Sequence, residues 1–378
     1  MLFDPIQIRS LPLANRCVMS PMTRSRAIGN RPNALMATYY GQRASAGLII
    51  TEGVSPSPDG LGYARIPGLF DEAQAAAWKA VTDAVHQRGG RIVVQLMHTG
   101  RVAHAANLPA GARVLGPMDG TCPGQMWTDS QQMQPHSPAR AMSDEDIGRA
   151  VAEYAQACRL AVQAGFDGVE LHAANGYLIE QFLNANVNQR RDGWGGSIDA
   201  RNRFALEVAQ ACAGAIGAGR VGIRLSPHGA FNATGIYPEV DAQYEALVTR
   251  LSALGLLYVH LLDHSALGAP PVPAALKRRL RALFDGPFIL AGGFDSASAK
   301  AALQAGDADL IGFGRPPGQP RPGAPPADRR GAERTRPGHL LHRRREGIYR
   351  LSGARGLTTC RATAAKSLPR RLGAMKPG

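Results

Sequence analysis

An apolar run in the middle of the chain ends in three side chains that suit carbonyl chemistry. The run Phe166-Asp-Gly-Val-Glu-Leu171 is followed at once by His172-Ala-Ala-Asn175-Gly-Tyr177. An imidazole and a carboxamide can donate hydrogen bonds to a carbonyl oxygen, and a phenol beside them can deliver a proton. This indicates chemistry on a polarised double bond. Two structural alternatives stay open, with Asn175 as the cap of a helix over residues 177–183 and Tyr177 as a half-buried core aromatic.

Polar or glycine residues also follow other apolar runs of the chain. They are Pro21-Met22-Thr23, Gly53, Gln95 with His98, Arg224, Gly292-Gly293 and Gly312-Phe-Gly-Arg315. Glycines let backbone N–H groups approach a phosphate closely, and an arginine adds a bidentate donor. A pair of glycines alone would indicate a tight turn, but the last two segments together with Arg315 predict a phosphate clamp.

The remaining polar side chains leave more than one interpretation. Arg224 lies in an apolar strand, where it could stabilise negative charge on a reduced cofactor ring or form a salt bridge with Glu170. Gln95 offers both a donor and an acceptor, which suits the edge of a heterocycle. Thr23 could bind a ring carbonyl or serve a turn, and His98 is expected to be structural. His172 has no second histidine or carboxylate cluster nearby, so we predict no metal site.

Eight short apolar runs alternate with helix-like segments over residues 1–315. The runs span residues 16–22, 48–54, 91–98, 168–174, 221–227, 256–263, 287–292 and 309–314. The helical segments span residues 71–88, 143–164, 201–216, 240–254 and 296–305. Strands that are apolar on both faces predict a closed parallel (β/α)8 TIM barrel, with a doubly wound open sheet as the alternative.

The barrel would bring the candidate residues together, because such barrels place their active sites at the carboxyl ends of the strands. Residues 2–13 are expected to form a hairpin across the bottom. The stretch 99–142, rich in Gly and Pro, is too long for an ordinary connection and predicts a cap beside the site.

Composition narrows the class of protein. The chain has 378 residues. Its N-terminus lacks the basic and then apolar segments of a signal peptide, and no apolar run approaches the roughly 20 residues of a membrane helix. We therefore expect a soluble cytoplasmic protein. The five cysteines form no CxxC pair, which argues against a disulfide framework or an iron–sulfur site.

The net charge of +14 is concentrated in the last 63 residues. Residues 316–378 contain 15 Lys and Arg, 3 Asp and Glu, and nine of the 27 prolines. We therefore divide the chain into a barrel over residues 1–315 and a basic tail over 316–378 that is expected to be disordered. Binding of a polyanion by this tail is an alternative that we favour less, because no aromatic interleaving or folded recognition motif accompanies the charge.

Five motifs in order resemble the old yellow enzyme family of flavin-dependent ene-reductases. They are Asn15-Arg-Cys-Val-Met-Ser-Pro-Met-Thr-Arg24, Gln95-Leu-Met-His-Thr-Gly-Arg101, His172-Ala-Ala-Asn-Gly-Tyr-Leu178, Asp192-Gly-Trp-Gly-Gly-Ser197 with Arg203-Phe204, and Gly312-Phe-Gly-Arg315. The resemblance covers nearly all of residues 1–315.

The resemblance implies a TIM barrel that binds FMN non-covalently, takes hydride from NADPH or NADH and reduces the C=C bond of activated alkenes such as enones, maleimides and nitro compounds. It places Pro21, Met22, Thr23, Gly53, Gln95 and Arg224 around the isoalloxazine ring and ribityl chain, and Gly293, Gly314 and Arg315 at the phosphate. His172 and Asn175 would hold the substrate oxygen, and Tyr177 would be the proton donor. Tyr63 and Met97 would face the substrate. A monomer and a homodimer both remain open.

The sequence departs from the family in three places. Met97 stands where many members have Trp, which is expected to alter substrate preference. Thr23 stands where the other main branch has Cys. The resemblance stops at Pro316, and residues 335–354 can be back-translated so that the next frame gives a family-like ending. We therefore hypothesise a change of reading frame near Pro316, with an inactive or weakly flavin-binding barrel as the alternative to an active enzyme.

Overall fold

The structure is a computed structural model that describes residues 1–314. Arg315 and the predicted tail over 316–378 lie outside the described residues.

Eight parallel strands close into a barrel, as predicted. In chain order the fourteen strands of residues 1–314 are β1 (Ile6–Ile8), β2 (Leu11–Leu13), β3 (Cys17–Met19), β4 (Leu48–Val54), β5 (Ile92–Leu96), β6 (Leu115–Gly116), β7 (Gln125–Thr128), β8 (Gln132–Pro135), β9 (Arg140–Ala141), β10 (Gly168–Ala173), β11 (Val221–Leu225), β12 (Tyr258–Leu262), β13 (Phe288–Ala291) and β14 (Leu310–Phe313). The barrel order is β10-β11-β12-β13-β14-β3-β4-β5. Pairing of Gly312 with Val18 joins β14, the last strand of the barrel, to β3, the first strand of the barrel. The alternative of an open sheet is therefore wrong.

Helices pack around the outside of this barrel. Those of the described part are α1 (Ala34–Gly41), α2 (Glu72–His86), α3 (Asp144–Gln163), α4 (Leu178–Leu183), α5 (Ile198–Ile216), α6 (Val240–Ala253), α7 (Ala274–Leu283) and α8 (Ser296–Gln304). Ser143 and Asp146 form a capping box at the start of α3, where three acidic residues complement the helix dipole. None of these helices is both long and apolar enough to cross a membrane.

The lower end of the barrel is an apolar plug. The expected N-terminal hairpin is present as antiparallel β1 and β2, and its Ile8 and Leu13 join the core cluster that fills the bottom. Tyr258 lies in the same cluster. Gly222 makes room for its ring, because a β carbon at that position would lie 2.4 Å from Tyr258. The chemistry is thereby confined to the opposite end.

The insertion over residues 99–142 covers part of the upper end. It contains two short sheets, β6 with β9 and β7 with β8. Cys122 and Met126 from this insertion pack in one buried cluster with Met97 and Tyr177. The predicted cap therefore contacts the residues that follow β5 and β10.

Candidate active site at the carboxyl ends of the strands

A layer of polar side chains crosses the barrel above the apolar plug. Strand register places His172 of β10 beside Arg224 of β11, and Arg224 beside His260 of β12. Two residues before His172, Glu170 lies beside Gln95 of β5. Because alternate residues of a strand face the same side, Glu170 and His172 both point into the barrel.

Glu170 is fully buried and has two hydrogen-bonding partners. Gln95 Nε2 donates to Glu170 Oε1 at 2.7 Å, and His260 Nδ1 lies 2.8 Å from Glu170 Oε2. Burial raises the pKa of this carboxyl, but His260 and Arg224 oppose that effect and leave the pKa below its usual value. Glu170 is therefore an anion. The expected alternative of a direct Arg224–Glu170 salt bridge is absent among the described residues, where Glu170 pairs with His260 instead.

Arg224 is a buried cation whose Nε has no hydrogen-bond partner within residues 1–314. Burial lowers the pKa of the guanidinium, and the charge of Glu170 opposes that effect. An unpaired buried donor is costly unless a ligand satisfies it. His172 Nδ1 and His260 Nε2 are also buried and have no hydrogen-bond partner among residues 1–314. Three donors or acceptors are thus available to a ligand at one level of the barrel.

His172 and Asn175 meet as their spacing indicated. Asn175 Nδ2 lies 3.5 Å from His172 Nε2. Burial and the charge of Arg224 hold the pKa of His172 well below its usual value, so the imidazole is neutral. A neutral imidazole and a carboxamide can bind one ligand oxygen from two directions. Asn175 is not a helix cap, because α4 has Tyr177 as its N-cap residue and no side-chain cap bond.

A buried network holds Asn175 in an unusual backbone conformation. Its φ of 61° lies in the left-handed region. The N–H of Asn175 donates to Ser226 Oγ at 3.0 Å, and Ser226 Oγ donates to Glu180 Oε1 at 2.8 Å. Glu180 Oε2 also accepts from Gly176 N at 2.5 Å, and Asn232 Nδ2 donates to the Asn175 carbonyl at 2.6 Å. Strand β11, helix α4 and the loop after β11 together fix this turn.

Tyr177 faces the same space from the start of α4. Its hydroxyl lies 3.1 Å from that of Tyr63, and its ring contacts the His172 ring edge-on with centroids 5.0 Å apart. Burial raises the pKa of Tyr177, so the phenol is protonated at neutral pH. Met97 and Tyr177 belong to one apolar cluster, against which Tyr63 packs. The three residues predicted to contact substrate therefore share one wall, although their roles stay predictions.

The residues predicted around a flavin ring lie on or directly after β3, β4, β5 and β11. Gly53 lies beside Gln95 after a bulge in β4. A β carbon at Gly53 would lie 2.5 Å from Met97 Sδ, so glycine keeps this part of the wall flat. Pro21 and Met22 are partly buried and Thr23 is exposed, directly above β3.

The predicted phosphate segment lies at the ends of the last two strands. Gly292 and Gly293 have φ of 125° and 73°, which favour glycine, and a β carbon at Gly292 would lie 2.1 Å from the Asp263 carbonyl. Within residues 1–314 no atom lies within 4 Å of where a β carbon at Gly314 would be. These features suit an oxyanion that approaches the backbone. Arg315 lies outside the described residues, so its predicted contact stays a prediction.

The residues present fit a flavin nucleotide. Arg224 offers a buried unpaired donor, Gly53 a flat wall, and the exposed Gly293 and Gly314 an accessible backbone at the neighbouring strand ends. Among residues 1–314 no group of three or more His, Cys, Asp or Glu side chains is placed to hold a metal ion.

The sequence reasoning missed five residues that shape the site, namely Glu180, Ser226, Asn232, His260 and His264. His264 Nε2 lies 2.8 Å from Asn175 Oδ1. His264 follows β12, the sixth strand of the barrel. The rule that site residues lie at the carboxyl ends of the barrel strands therefore applies to His264 as well. Glu180 lies on α4, while Ser226 directly follows β11 and Asn232 lies in the same loop. No local sequence signal indicates that Ser226 meets Glu180 or that Asn232 meets Asn175.

Comparison with known proteins gives the same family. The family model described as NADH:flavin oxidoreductase / NADH oxidase family matches residues 1–317. Chanoclavine-I aldehyde reductase of Penicillium roqueforti (strain FM164) is 44% identical over 324 residues, 83% of this chain and 85% of that protein. 12-Oxophytodienoate reductase 7 of Oryza sativa subsp. japonica is 38% identical over 334 residues, 83% and 84% of the two chains.

A solved structure shows the same architecture. Morphinone reductase in complex with tetrahydroNAD superposes with a TM-score of 0.79 at 41% identity, over 83% of this chain and 86% of that one. The family model and these identities establish that the chain belongs to the NADH:flavin oxidoreductase / NADH oxidase family, and that it is an FMN-dependent oxidoreductase of the old yellow enzyme type.

Proposed function

We propose that this protein reduces the C=C bond of alkenes activated by a carbonyl or nitro group, with NAD(P)H as the reductant. The observation that supports this most directly is the convergence of His172, Asn175 and Tyr177 at one point of the barrel mouth. Bound FMN supplies the hydride exchange between NAD(P)H and the alkene.

The substrate oxygen binds to His172 and Asn175. Both side chains are neutral donors in a site from which the cap insertion helps to exclude water. Hydrogen bonds to that oxygen strengthen as it gains negative charge, so they stabilise the transition state more than the bound substrate. The alkene carbon β to the carbonyl thereby becomes the electrophilic position.

Tyr177 delivers the proton to the carbon α to the carbonyl. Its phenol is protonated, buried and next to His172, so a substrate held at that imidazole lies beside the hydroxyl. Tyr63, 3.1 Å away, can accept from or donate to the same hydroxyl and limits its rotation. Met97 forms part of the same wall and is proposed to affect which substrates fit.

The flavin site uses the remaining predicted residues. Pro21, Met22, Thr23, Gly53, Gln95 and Arg224 would surround the ring and ribityl chain, and Gly293, Gly314 and Arg315 would bind the phosphate. Arg224 would place its unpaired Nε and its positive charge beside the ring, where it favours the anionic reduced form.

Purified protein supplied with FMN tests this assignment. NADPH or NADH should bleach the flavin absorbance, and 2-cyclohexen-1-one should restore it without oxygen and yield cyclohexanone. A flavin spectrum that no nicotinamide bleaches, or that is bleached but not restored by any activated alkene, would refute the proposed reaction.

We also propose that the reading frame changes near Pro316. The family match ends at residue 317, within two residues of the shift in charge and proline content. A chain restored to the family-like frame should retain more FMN and melt at a higher temperature than this chain. An unbroken gene frame whose product has the intact mass of this chain would overturn the proposal of a frame change. Equal melting temperatures would instead count against the alternative that this chain is a damaged, weakly flavin-binding barrel. Binding of a polyanion by residues 316–378 is the less favoured alternative. If polyanion binding persists after these residues are removed, the tail is not its source.

A cytoplasmic location is proposed as well, because a cytoplasmic enzyme has direct access to NAD(P)H. Fractionation of source cells tests it, and recovery of the protein outside the cytoplasmic fraction would contradict it.

A further inference from the structure

A second histidine contacts Asn175 from the loop after β12, two strands away from β10 in the barrel. His264 follows β12, is 4% exposed, and places its Nε2 2.8 Å from Asn175 Oδ1. Its ring packs against Phe231 with centroids 4.5 Å apart. The imidazole is therefore held both by an aromatic contact and by the amide of Asn175.

The surroundings of His264 select one tautomer. Its Nδ1 is buried and has no partner among residues 1–314. If Nδ1 bore the proton, that N–H would be buried and unpaired, which folded proteins rarely tolerate. The proton therefore belongs on Nε2, and Nε2–H donates to Asn175 Oδ1. Burial and the charge of Arg224 lower the pKa of His264 to about 4, so the ring is neutral at working pH.

This donation determines which end of the Asn175 amide faces the ligand. With Oδ1 turned to His264, Nδ2 lies on the side of His172. The opposite orientation would point Oδ1 at a substrate oxygen, and two acceptors would then repel each other. A donor on Oδ1 also polarises the amide and strengthens donation from Nδ2.

We propose that His264 is a positioning residue that holds Asn175 with its amide nitrogen toward the substrate oxygen. His264 does not contact the reacting atoms and acts only through Asn175. This inference rests on the proposed function, because it concerns the same oxygen site.

A double-mutant cycle on the full-length holoenzyme tests the proposal. The variants are His264→Leu, His264→Gln, Asn175→Ala and the combination of His264→Leu with Asn175→Ala. Binding of 4-chlorophenol, followed by the change in flavin absorbance, reports the oxygen site without turnover. The KM and kcat for 2-cyclohexen-1-one and the melting temperature are measured in parallel. His86→Leu is the matched control, since it removes an imidazole that contacts Asp167 at the opposite end of β10.

His264→Leu should weaken phenol binding about tenfold and raise KM by a similar factor, the size expected for one lost hydrogen bond. His264→Gln, which can still donate to Oδ1, should stay within about threefold of the parent, as should His86→Leu. In the Asn175→Ala background, His264→Leu should change binding less than about twofold, because its partner is gone.

An equal loss in both backgrounds would show that His264 acts by packing, and no loss in either would show that it does not act at all. Either result overturns the proposal while leaving the proposed function intact. A parent enzyme that binds FMN but reduces no activated alkene would instead refute the function on which the inference rests.

Discussion

Replacement of Tyr177 by Phe removes the proposed proton donor and little else. The phenyl ring keeps the edge-on contact with His172, and the only atom lost is the hydroxyl 3.1 Å from Tyr63. Tyr177→Phe is therefore expected to fold as the parent does and to fail in one chemical step.

The two effects differ enough in size to be separated. Loss of one neutral hydrogen bond costs about 1 kcal/mol of stability, which lowers the melting temperature of a domain this large by about 2 °C. Loss of a general acid costs a factor of about 10²–10⁴ in rate, or about 3–5 kcal/mol in the activation free energy. Catalysis should thus fall far more than stability.

The assay separates the two halves of the reaction. The rate at which NADPH bleaches the flavin absorbance should stay within about threefold, because no phenol proton enters that step. The rate at which 2-cyclohexen-1-one restores the absorbance should fall by about 10²-fold or more. A nitroalkene should lose less, since the nitro group can hold the negative charge until a solvent proton arrives.

The neighbouring phenol supplies the control. Tyr63→Phe removes the partner hydroxyl but leaves the donor, so its reoxidation rate should fall less than about tenfold. Burial holds the pKa of Tyr177 above the usual 10.0, so the parent rate should not decline below about pH 9 through ionisation of this group. A Tyr177→Phe enzyme that reduces cyclohexenone at the parent rate would refute the assignment.

Three further variants test other parts of the site and its support. Burial lowers the pKa of His98 to about 4 from 6.5, so its contribution to stability is complete above pH 6.5 and is lost as the pH falls toward 4. His98→Gln should therefore reduce the loss of unfolding free energy between pH 7 and 4.5 by about 2 kcal/mol. Urea unfolding with an unchanged pH dependence would contradict this. Arg224→Met should weaken FMN retention about 10- to 100-fold, the loss expected for a charged hydrogen bond, and ultrafiltration that finds the parent flavin content would exclude this role. Met97→Trp adds volume beside Gly53 and should lower kcat/KM for bulky enones relative to 2-cyclohexen-1-one, at a stability cost of about 1–3 kcal/mol. An unchanged substrate ratio would show that Met97 does not face the substrate.

The barrel could be predicted because its strands are continuous in sequence and apolar on both faces. The predicted run over residues 48–54 matches β4 in full, and the run over 221–227 exceeds β11 by only two residues. The predicted strand ends were the most informative part of this prediction, because they placed His172 and Arg224 at the same end of the barrel, where the two residues pair in register.

Helices α1 and α7 escaped the prediction, and α4 was foreseen only as an alternative over residues 177–183, for different reasons. Helix α1 is short and rich in apolar and aromatic residues, so it shows little periodicity. Helix α4 is buried on every side, which removes the polar face that marks a helix in sequence. Helix α7 has only Leu276 and Leu280 buried among its basic residues.

The site residues that could not be predicted are those that hold others in place. The N–H of Asn175 donates to Ser226 across 51 residues of sequence separation, and Ser226 donates to Glu180 across 46. Their side chains have ordinary types at ordinary positions. Only the closed barrel brings β11 and α4 to the same turn, so this information belongs to the tertiary structure.

The same network explains why the oxygen-binding pair is preformed. Asn175 lies in the left-handed region, which Asn tolerates better than most residues but which still costs about 1 kcal/mol. Such a conformation persists when surrounding bonds specify it, and here the N–H, the carbonyl and the side-chain oxygen of Asn175 each have a partner, respectively Ser226, Asn232 and His264. The group that these bonds leave for a ligand is Nδ2, whose described neighbour is His172 at 3.5 Å. Since three of the four hydrogen-bonding groups of Asn175 are used to orient the fourth, little reorganisation is needed when charge develops on the substrate oxygen.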